Sequence, residues 1–204
     1  MTLPFGLLAI TPAVHPKLPD AIRQVVYAAG PQATILLRDK SLSPPELRYW
    51  AEQILPICQA AGSLMLVHGH PEIARRVGAD GVHLPERGAT PAEARAIVGP
   101  EALVGISRHD PEQLRGSAGA DYATLSPIFA TAGKGEPLGL QVLAEACRVA
   151  ALPVVALGGI TPERATQCRT AGAAAVAAIQ AVWEGDPGSN ALQIIGLLDA
   201  GHVR

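Results

Sequence analysis

Short apolar runs, each followed by a turn residue and a helical stretch, recur along this chain and leave few folds open to it. The first is Leu7-Leu8-Ala9-Ile10-Thr11, ended by Pro12. Thr34 to Leu37, Leu64 to Val67, Gly81 to Leu84, Leu103 to Ile106, Tyr122 to Leu125, Val154 to Leu157 and Ala174 to Ile179 follow in order. Runs this short and this continuously apolar suit strands buried on both faces, the condition of a parallel sheet. Between them lie segments with helical spacing: Asp20 to Ala29, Ser43 through Ala61, a short one to about Val77, and others opened by Pro91, Asp110-Pro111-Glu112 and Thr161-Pro162. A last helix is expected near Ser189 to Asp199. Prolines at these starts lose nothing, because the first N–H groups of a helix have no partner within it.

Eight such strands alternating with eight helical segments in 204 residues predict an α/β fold, a (β/α)8 TIM barrel forming one domain over residues 1–204. Gly78-Ala79-Asp80, Gly119-Ala120-Asp121 and Gly172-Ala173-Ala174 recur just before strands, each ending a helix on a glycine and re-entering the sheet. An open doubly wound sheet is the competing arrangement, and the even spacing favours the barrel. Hydrophobic residues make up 49% of the chain and aromatics only 3%, so the core must be packed from Ala, Val and Leu.

A formal net charge of -2 gives no electrostatic reason to expect nucleic acid or a membrane surface as partner. Cys58, Cys147 and Cys168 lie far apart in helix-like segments and read as small core hydrophobes in a reducing compartment. No basic segment precedes an apolar run near Met1 and no apolar stretch reaches spanning length, so a soluble cytoplasmic protein is expected. Trp50, Trp183 and the apolar C-terminal residues Leu192, Ile194, Ile195, Leu197 and Leu198 serve either the core or a contact in a homodimer.

In a β/α barrel, chemistry belongs at the C-terminal ends of the strands, with phosphate usually held after the seventh and eighth. Val154 to Leu157 runs into Gly158-Gly159, then Thr161 as a plausible N-cap and Pro162. Without Cβ atoms, the two glycines let the backbone come close to a ligand and aim N–H groups at it. Gly158 and Gly159 with Ile179 and Gln180 are therefore expected to cradle a phosphate. The other strand ends bring Arg38, Asp39 and Lys40, then His68, Ser107 and His109, and Ser126 with Thr131 to Lys134. Arg38 and Lys40 together suit an anion. His83 lies inside an apolar run and reads as a satisfied core histidine, whereas His70 and His109 read as solvated loop residues. The acids near the third and fourth strand ends are Glu72 and Glu86, and His68 with His70 lack identifiable partners, so no metal and no cofactor is expected.

These stretches resemble, over nearly the whole chain, the thiamine phosphate synthase / TenI superfamily. The matching pieces are Leu37-Arg38-Asp39-Lys40, Gly78 to Leu84, Gly105-Ile106-Ser107, Gly119-Ala120-Asp121-Tyr122, Ser126-Pro127-Ile128-Phe129 with Thr131 and Lys134, and Pro153 to Ile160. The resemblance implies the barrel fold and a small phosphorylated thiazole as substrate. The synthase branch joins a pyrimidine diphosphate to a thiazole phosphate. It reads the pyrimidine with a Gln where Leu36 stands here, and holds Mg²⁺ with two acids after strands three and four. Those places are occupied here by His68-Gly69-His70 and Gly88.

The TenI branch is similar in its Gly at the first acid position and its His83-Leu84-Pro85 turn. Its activity, a thiazole tautomerase, moves a proton to aromatise a thiazole carboxylate phosphate without metal. The resemblance then assigns phosphate or substrate binding to Arg38, Lys40, Ser107, Thr131, Gly158, Gly159, Ile179 and Gln180. Catalysis falls to His68, Ser126 and Lys134. Ser126 stands where the characterised tautomerases carry a histidine and is a poor base at neutral pH, so His68 is expected to shuttle the proton. A tautomerase is the leading expectation from the sequence, with a thiamine phosphate synthase and a non-catalytic thiazole phosphate binder as alternatives.

Overall fold

The computed structural model describes residues 2–200. Strands β1 (Leu7–Ile10), β2 (Ala33–Leu37), β3 (Met65–His68), β4 (Gly81–Leu84), β5 (Leu103–Arg108), β6 (Tyr122–Leu125), β7 (Val154–Leu157) and β8 (Ala175–Ala178) run parallel, each beside the next. β1 pairs with β8 through Leu7↔Val176 and with β2 through Leu7↔Ala33, which closes the expected barrel and leaves no sheet edge.

Strand side chains alternate between two cores. Outward-facing Leu7, Ala9, Ile35, Leu37, Val67 and Val82 pack beneath the helices. Inward-facing Leu8, Ile10, Leu36, Leu66, Tyr122 and Val155 fill the barrel with help from Phe5. Helices α1 (Leu18–Ala29), α2 (Pro44–Ala60), α3 (Pro71–Val77), α4 (Pro91–Val98), α5 (Gly139–Val149) and α6 (Pro162–Thr170) form the outer layer. The start signals act as expected: Thr90 Oγ1 accepts from Glu93 N at 3.2 Å, and Thr161 Oγ1 from Arg164 N at 3.3 Å.

The Gly-Ala-Asp repeats have a second role beyond ending helices. Asp80 accepts from the backbone of Met65 at 2.7 Å, and Asp121 from that of Val104 at 2.7 Å. Each aspartate thus satisfies an N–H at the start of the neighbouring strand, which fixes where the two strands begin relative to each other.

Two connections differ from the expected helices. The segment opened by Asp110 is a 3₁₀ helix over Pro111–Gly116. Arg108 Nε donates to the Gln113 carbonyl at 3.1 Å, while Ser117 N turns to Leu114 O, so the α-type bond between Ser117 and Gln113 does not form. After β8, a four-residue helix α7 (Gln180–Trp183) precedes the longer α8 (Pro187–Ala200). Trp183 of α7 donates from Nε1 to Ile10 O at 2.6 Å, anchoring α7 to the end of β1. Among the described residues, no helix is long and apolar enough to cross a membrane.

Candidate active site at the carboxyl end of the barrel

The polar strand ends converge in the order the barrel imposes. Asp39 ties the first two loops together, accepting from Val14 N at 2.8 Å and from Ser41. Those hydrogen bonds, chiefly the one from the Ser41 hydroxyl, hold its carboxyl below the ordinary aspartate range. Arg38 and Lys40 flank it, half-buried and exposed respectively. His68 lies within reach of both charges: burial first, then the repulsion of Arg38 and Lys40, pushes its imidazole down to about 4. A neutral imidazole this reluctant to take a proton is a weak base for chemistry near pH 7, which lowers its efficiency as a shuttle.

His83 follows on β4, its ring stacked 6.1 Å from that of His68. The reading of His83 as a satisfied core histidine holds. Its Nδ1 is 3.0 Å from the Tyr122 hydroxyl and its Nε2 is 3.0 Å from Ser107 Oγ. Burial pushes its pKa down to about 3, and burial likewise raises that of the Tyr122 phenol.

On the next strands, Ser126 ends β6 as one of the few buried polar residues. His109 has a part in the site that its loop position hid. Its Nδ1 is 2.8 Å from the Ser126 carbonyl and 3.2 Å from Ser126 Oγ. A carbonyl only accepts, so Nδ1 carries the proton and Nε2 is left as the lone-pair nitrogen. The signal in the sequence was the parallel register, which sets Arg108 beside Leu125 and so brings the residues that follow each together.

The glycine pair is shaped by packing as well as by any ligand. A Cβ on Gly158 would lie 2.7 Å from Pro127 Cα, and one on Gly159 2.9 Å from the Ala130 carbonyl. Both residues have positive φ, 100° and 64°. The long β6 loop therefore lies directly on the β7 turn, joined by Phe129 N to Gly158 O at 3.1 Å. Arg164 clamps the two, donating to Gly159 O at 2.7 Å with its guanidinium 4.7 Å above the Phe129 ring. Among the described residues, the N–H groups of Gly158 and Gly159 enter none of the turn and loop hydrogen bonds.

β7 and β8 pair through Leu157↔Ala177, so the glycine turn and the Ile179–Gln180 turn leave neighbouring strand ends. Ile179 and Gln180 line a cleft of about 650 Å³ with Pro12, Lys17 and Trp183, and the glycines are not among its walls. Thr131 turns inward to its own loop, donating to Phe129 O at 3.0 Å, while Lys134 stands exposed on the same loop.

The turns after β3 and β4 do not suit a divalent cation. Gly69 has no side chain to offer, and no group of three His, Cys, Asp or Glu gathers anywhere among the described residues. Glu86, in the turn after β4, has one buried oxygen without a hydrogen bond and lies within the field of Arg108. One carboxylate beside a guanidinium is a poor host for Mg²⁺, which is held by carboxylates together with phosphate. The three cysteines are no alternative ligands: burial raises the thiols of Cys58 and Cys168 to about 12 and that of Cys147 to about 11.

The molecule is a closed parallel β/α barrel with cations and hydroxyls at the carboxyl ends of its strands. More narrowly, the chain belongs to the TMP-TENI family, thiamine monophosphate synthase, which it matches over residues 7–182. A bifunctional thiamine biosynthesis protein ThiM/ThiE of Symbiobacterium thermophilum is 37% identical over 92% of this chain. This chain spans only 40% of that relative's length, and 43% of the thiamine-phosphate synthase of a Synechococcus species, to which it is 39% identical. The thiamine-phosphate synthase of Thioalkalivibrio sulfidiphilus is 32% identical and aligns along 95% of both chains. In structure, the thiamine phosphate pyrophosphorylase of Pyrococcus furiosus superposes with a TM-score of 0.86 at 23% identity, covering 98% of each chain, a likeness of fold.

Proposed function

We propose that this chain is an enzyme of thiamine biosynthesis that takes a thiazole phosphate at the barrel mouth and joins it to a pyrimidine diphosphate. The observation that carries this reading is the Thioalkalivibrio relative, named a thiamine-phosphate synthase and aligned along 95% of both chains. In that reaction the thiazole nitrogen bonds to the pyrimidine methylene carbon, and the bond from that carbon to the diphosphate oxygen breaks. Arg38, Lys40 and Lys134 offer countercharge to the departing diphosphate, and Ser107 a hydroxyl. The Gly158–Gly159 turn, whose positive φ at both residues suits backbone N–H groups to an anion, is taken to hold the thiazole phosphate. Leu36, buried and apolar, stands where the synthases read the pyrimidine with an amide, so ring recognition here relies on shape. Because the donors after β3 and β4 do not fit Mg²⁺, no step is drawn through a metal.

A second reading is favoured by that same donor set and by His109. Metal-free aromatisation of a thiazole carboxylate phosphate needs an anion site and a proton carrier and nothing else. His68 and His109 are then the candidates for the carrier, with Ser126 orienting His109. His109 presents a lone pair at Nε2, while His68 is held to a low pKa.

One experiment separates the two. The purified chain is given thiazole phosphate and pyrimidine diphosphate, with Mg²⁺ or with chelator, and in parallel the thiazole carboxylate phosphate tautomer without metal. Formation of thiamine phosphate is the expected result. Aromatisation alone would replace the first reading by the second, and neither product would overturn both.

A further inference from the structure

Tyr122, His83 and Ser107 form a continuous polar line inside the barrel. They come from β6, β4 and β5, three adjacent strands. The space they use is made by Gly105, where any Cβ would overlap the Tyr122 ring and the His83 Nδ1. The two links are both 3.0 Å long, from the Tyr122 hydroxyl to Nδ1 and from Nε2 to Ser107 Oγ.

The direction of the protons along this line follows from what each group can do. A neutral imidazole has one donor nitrogen and one acceptor nitrogen. Tyr122 is wholly buried, and His83 is the hydrogen-bond partner of its hydroxyl among the described residues. Were Nδ1 the donor, the phenolic proton would be left without an acceptor, since no second hydrogen bond of this hydroxyl forms among the described residues. The phenol therefore donates to Nδ1, which places the imidazole proton on Nε2. Nε2–H then donates to Ser107 Oγ. With Ser107 Oγ accepting from inside the barrel, the serine's own proton is free to be donated toward the mouth. The opposite polarity would turn a serine lone pair toward an anion and repel it.

We propose that Tyr122 and His83 are positioning residues that hold Ser107 as an outward hydrogen-bond donor to an anionic phosphate or diphosphate oxygen at the barrel mouth. This deepens the proposed function and rests on its reading of the mouth as an anion site. Ser107 touches the ligand, and the other two act through it.

The test has two arms. Long-range ¹H–¹⁵N NMR of histidine-labelled wild type shows which His83 nitrogen bears the proton: Nε2 is expected, and Nδ1 overturns the proposal. Calorimetry with inorganic pyrophosphate then measures affinity for wild type, Ser107→Ala, Tyr122→Phe and the double variant. Ser107→Ala is expected to weaken binding about tenfold, the size of one hydrogen bond to a charged group. Tyr122→Phe, which keeps the ring against Phe5, is expected to cost nearly as much, and the double variant to add less than about twofold beyond the larger single loss. Losses that multiply independently would overturn the proposal. Wild type that carries the proton on Nε2 yet binds no pyrophosphate would sink the anion-site reading instead. Should Tyr122→Phe not fold, the wild-type tautomer and the Ser107→Ala affinity still decide.

Discussion

The inside of this barrel has two unlike walls. From β7 through β8 and β1 to β2, the inward side chains Val155, Ala175, Ala177, Leu8, Ile10 and Leu36 are aliphatic, and Thr34 is the polar exception. From β3 to β6, the wall carries His68, His83, Ser107, Tyr122 and Ser126. Filling a barrel needs only volume, and the first wall supplies it with the groups that cost least to bury. The second wall buries imidazole and hydroxyl groups, of which His83, Tyr122 and Ser107 find partners in one another while the Thr124 hydroxyl finds none. The difference teaches where the molecule was shaped by something besides stability: the polar wall leads up to the mouth where the cations stand.

The sharpest way to break this contrast is Gly105→Ala. A methyl group there overlaps both Tyr122 and His83, so it must push the two apart or move β5. Overpacking of this kind costs about 1–3 kcal/mol, and rupture of a buried hydrogen-bonded pair adds to it. A loss of about 3 kcal/mol or more in chemical denaturation is expected. An unchanged midpoint would mean that the polar wall is loosely packed and its links are not fixed.

Leu36→Gln tests the other wall, and it tests the family comparison too, since it installs the amide that the synthases are expected to carry there. Leu36 is 1% exposed. An amide buried without a partner costs about 1–3 kcal/mol by the measure of protein variants. A fall in stability of that size is expected. If stability holds and turnover with a pyrimidine diphosphate rises, the apolar wall is a specificity device and not merely filling.

The two walls were not equally legible. The aliphatic one could be read from the chain because short apolar runs of constant spacing leave a parallel barrel as the economical solution. All eight strands fall within a few residues of the expected runs. The polar wall was legible residue by residue but not as a network. His83 reads as a core histidine from its run, yet nothing local says that a tyrosine 39 residues later supplies its partner. His109 was passed over because a histidine between serine, arginine and aspartate looks like a solvated turn. Only the parallel register of β5 and β6 seats it on Ser126. The seating of the long β6 loop on the glycine turn was invisible for a like reason, since no local pattern brings Pro127 and Ala130 against Gly158 and Gly159. Turn chemistry is local and can be read in order, but contacts between loops depend on closure of the barrel.

The smallest expected effect concerns acid, and it sets the walls apart by a property only one of them has. His68 and His83 are pushed down to about 4 and about 3 in the folded chain, against an ordinary value near 6.5 once unfolded. Between about pH 6.5 and pH 4 the unfolded chain therefore binds protons that the folded chain refuses. Stability rises with pH wherever the unfolded state holds more protons, so acidification through this window destabilises the fold. Each histidine contributes at most about 1.4 kcal/mol per pH unit, and His68, which is partly open to solvent, contributes less than that. His68→Asn is expected to flatten the slope of unfolding free energy against pH between 6.5 and 4. Leu36→Ala, in the wall without titratable groups, is expected to lower stability by about 2–5 kcal/mol and leave the slope as it was. A wild-type chain equally stable at pH 7 and pH 4.5 would mean that both imidazoles are as easily protonated folded as unfolded. The polar wall would then be wet, and the ordered line from Tyr122 to Ser107 could not persist in it.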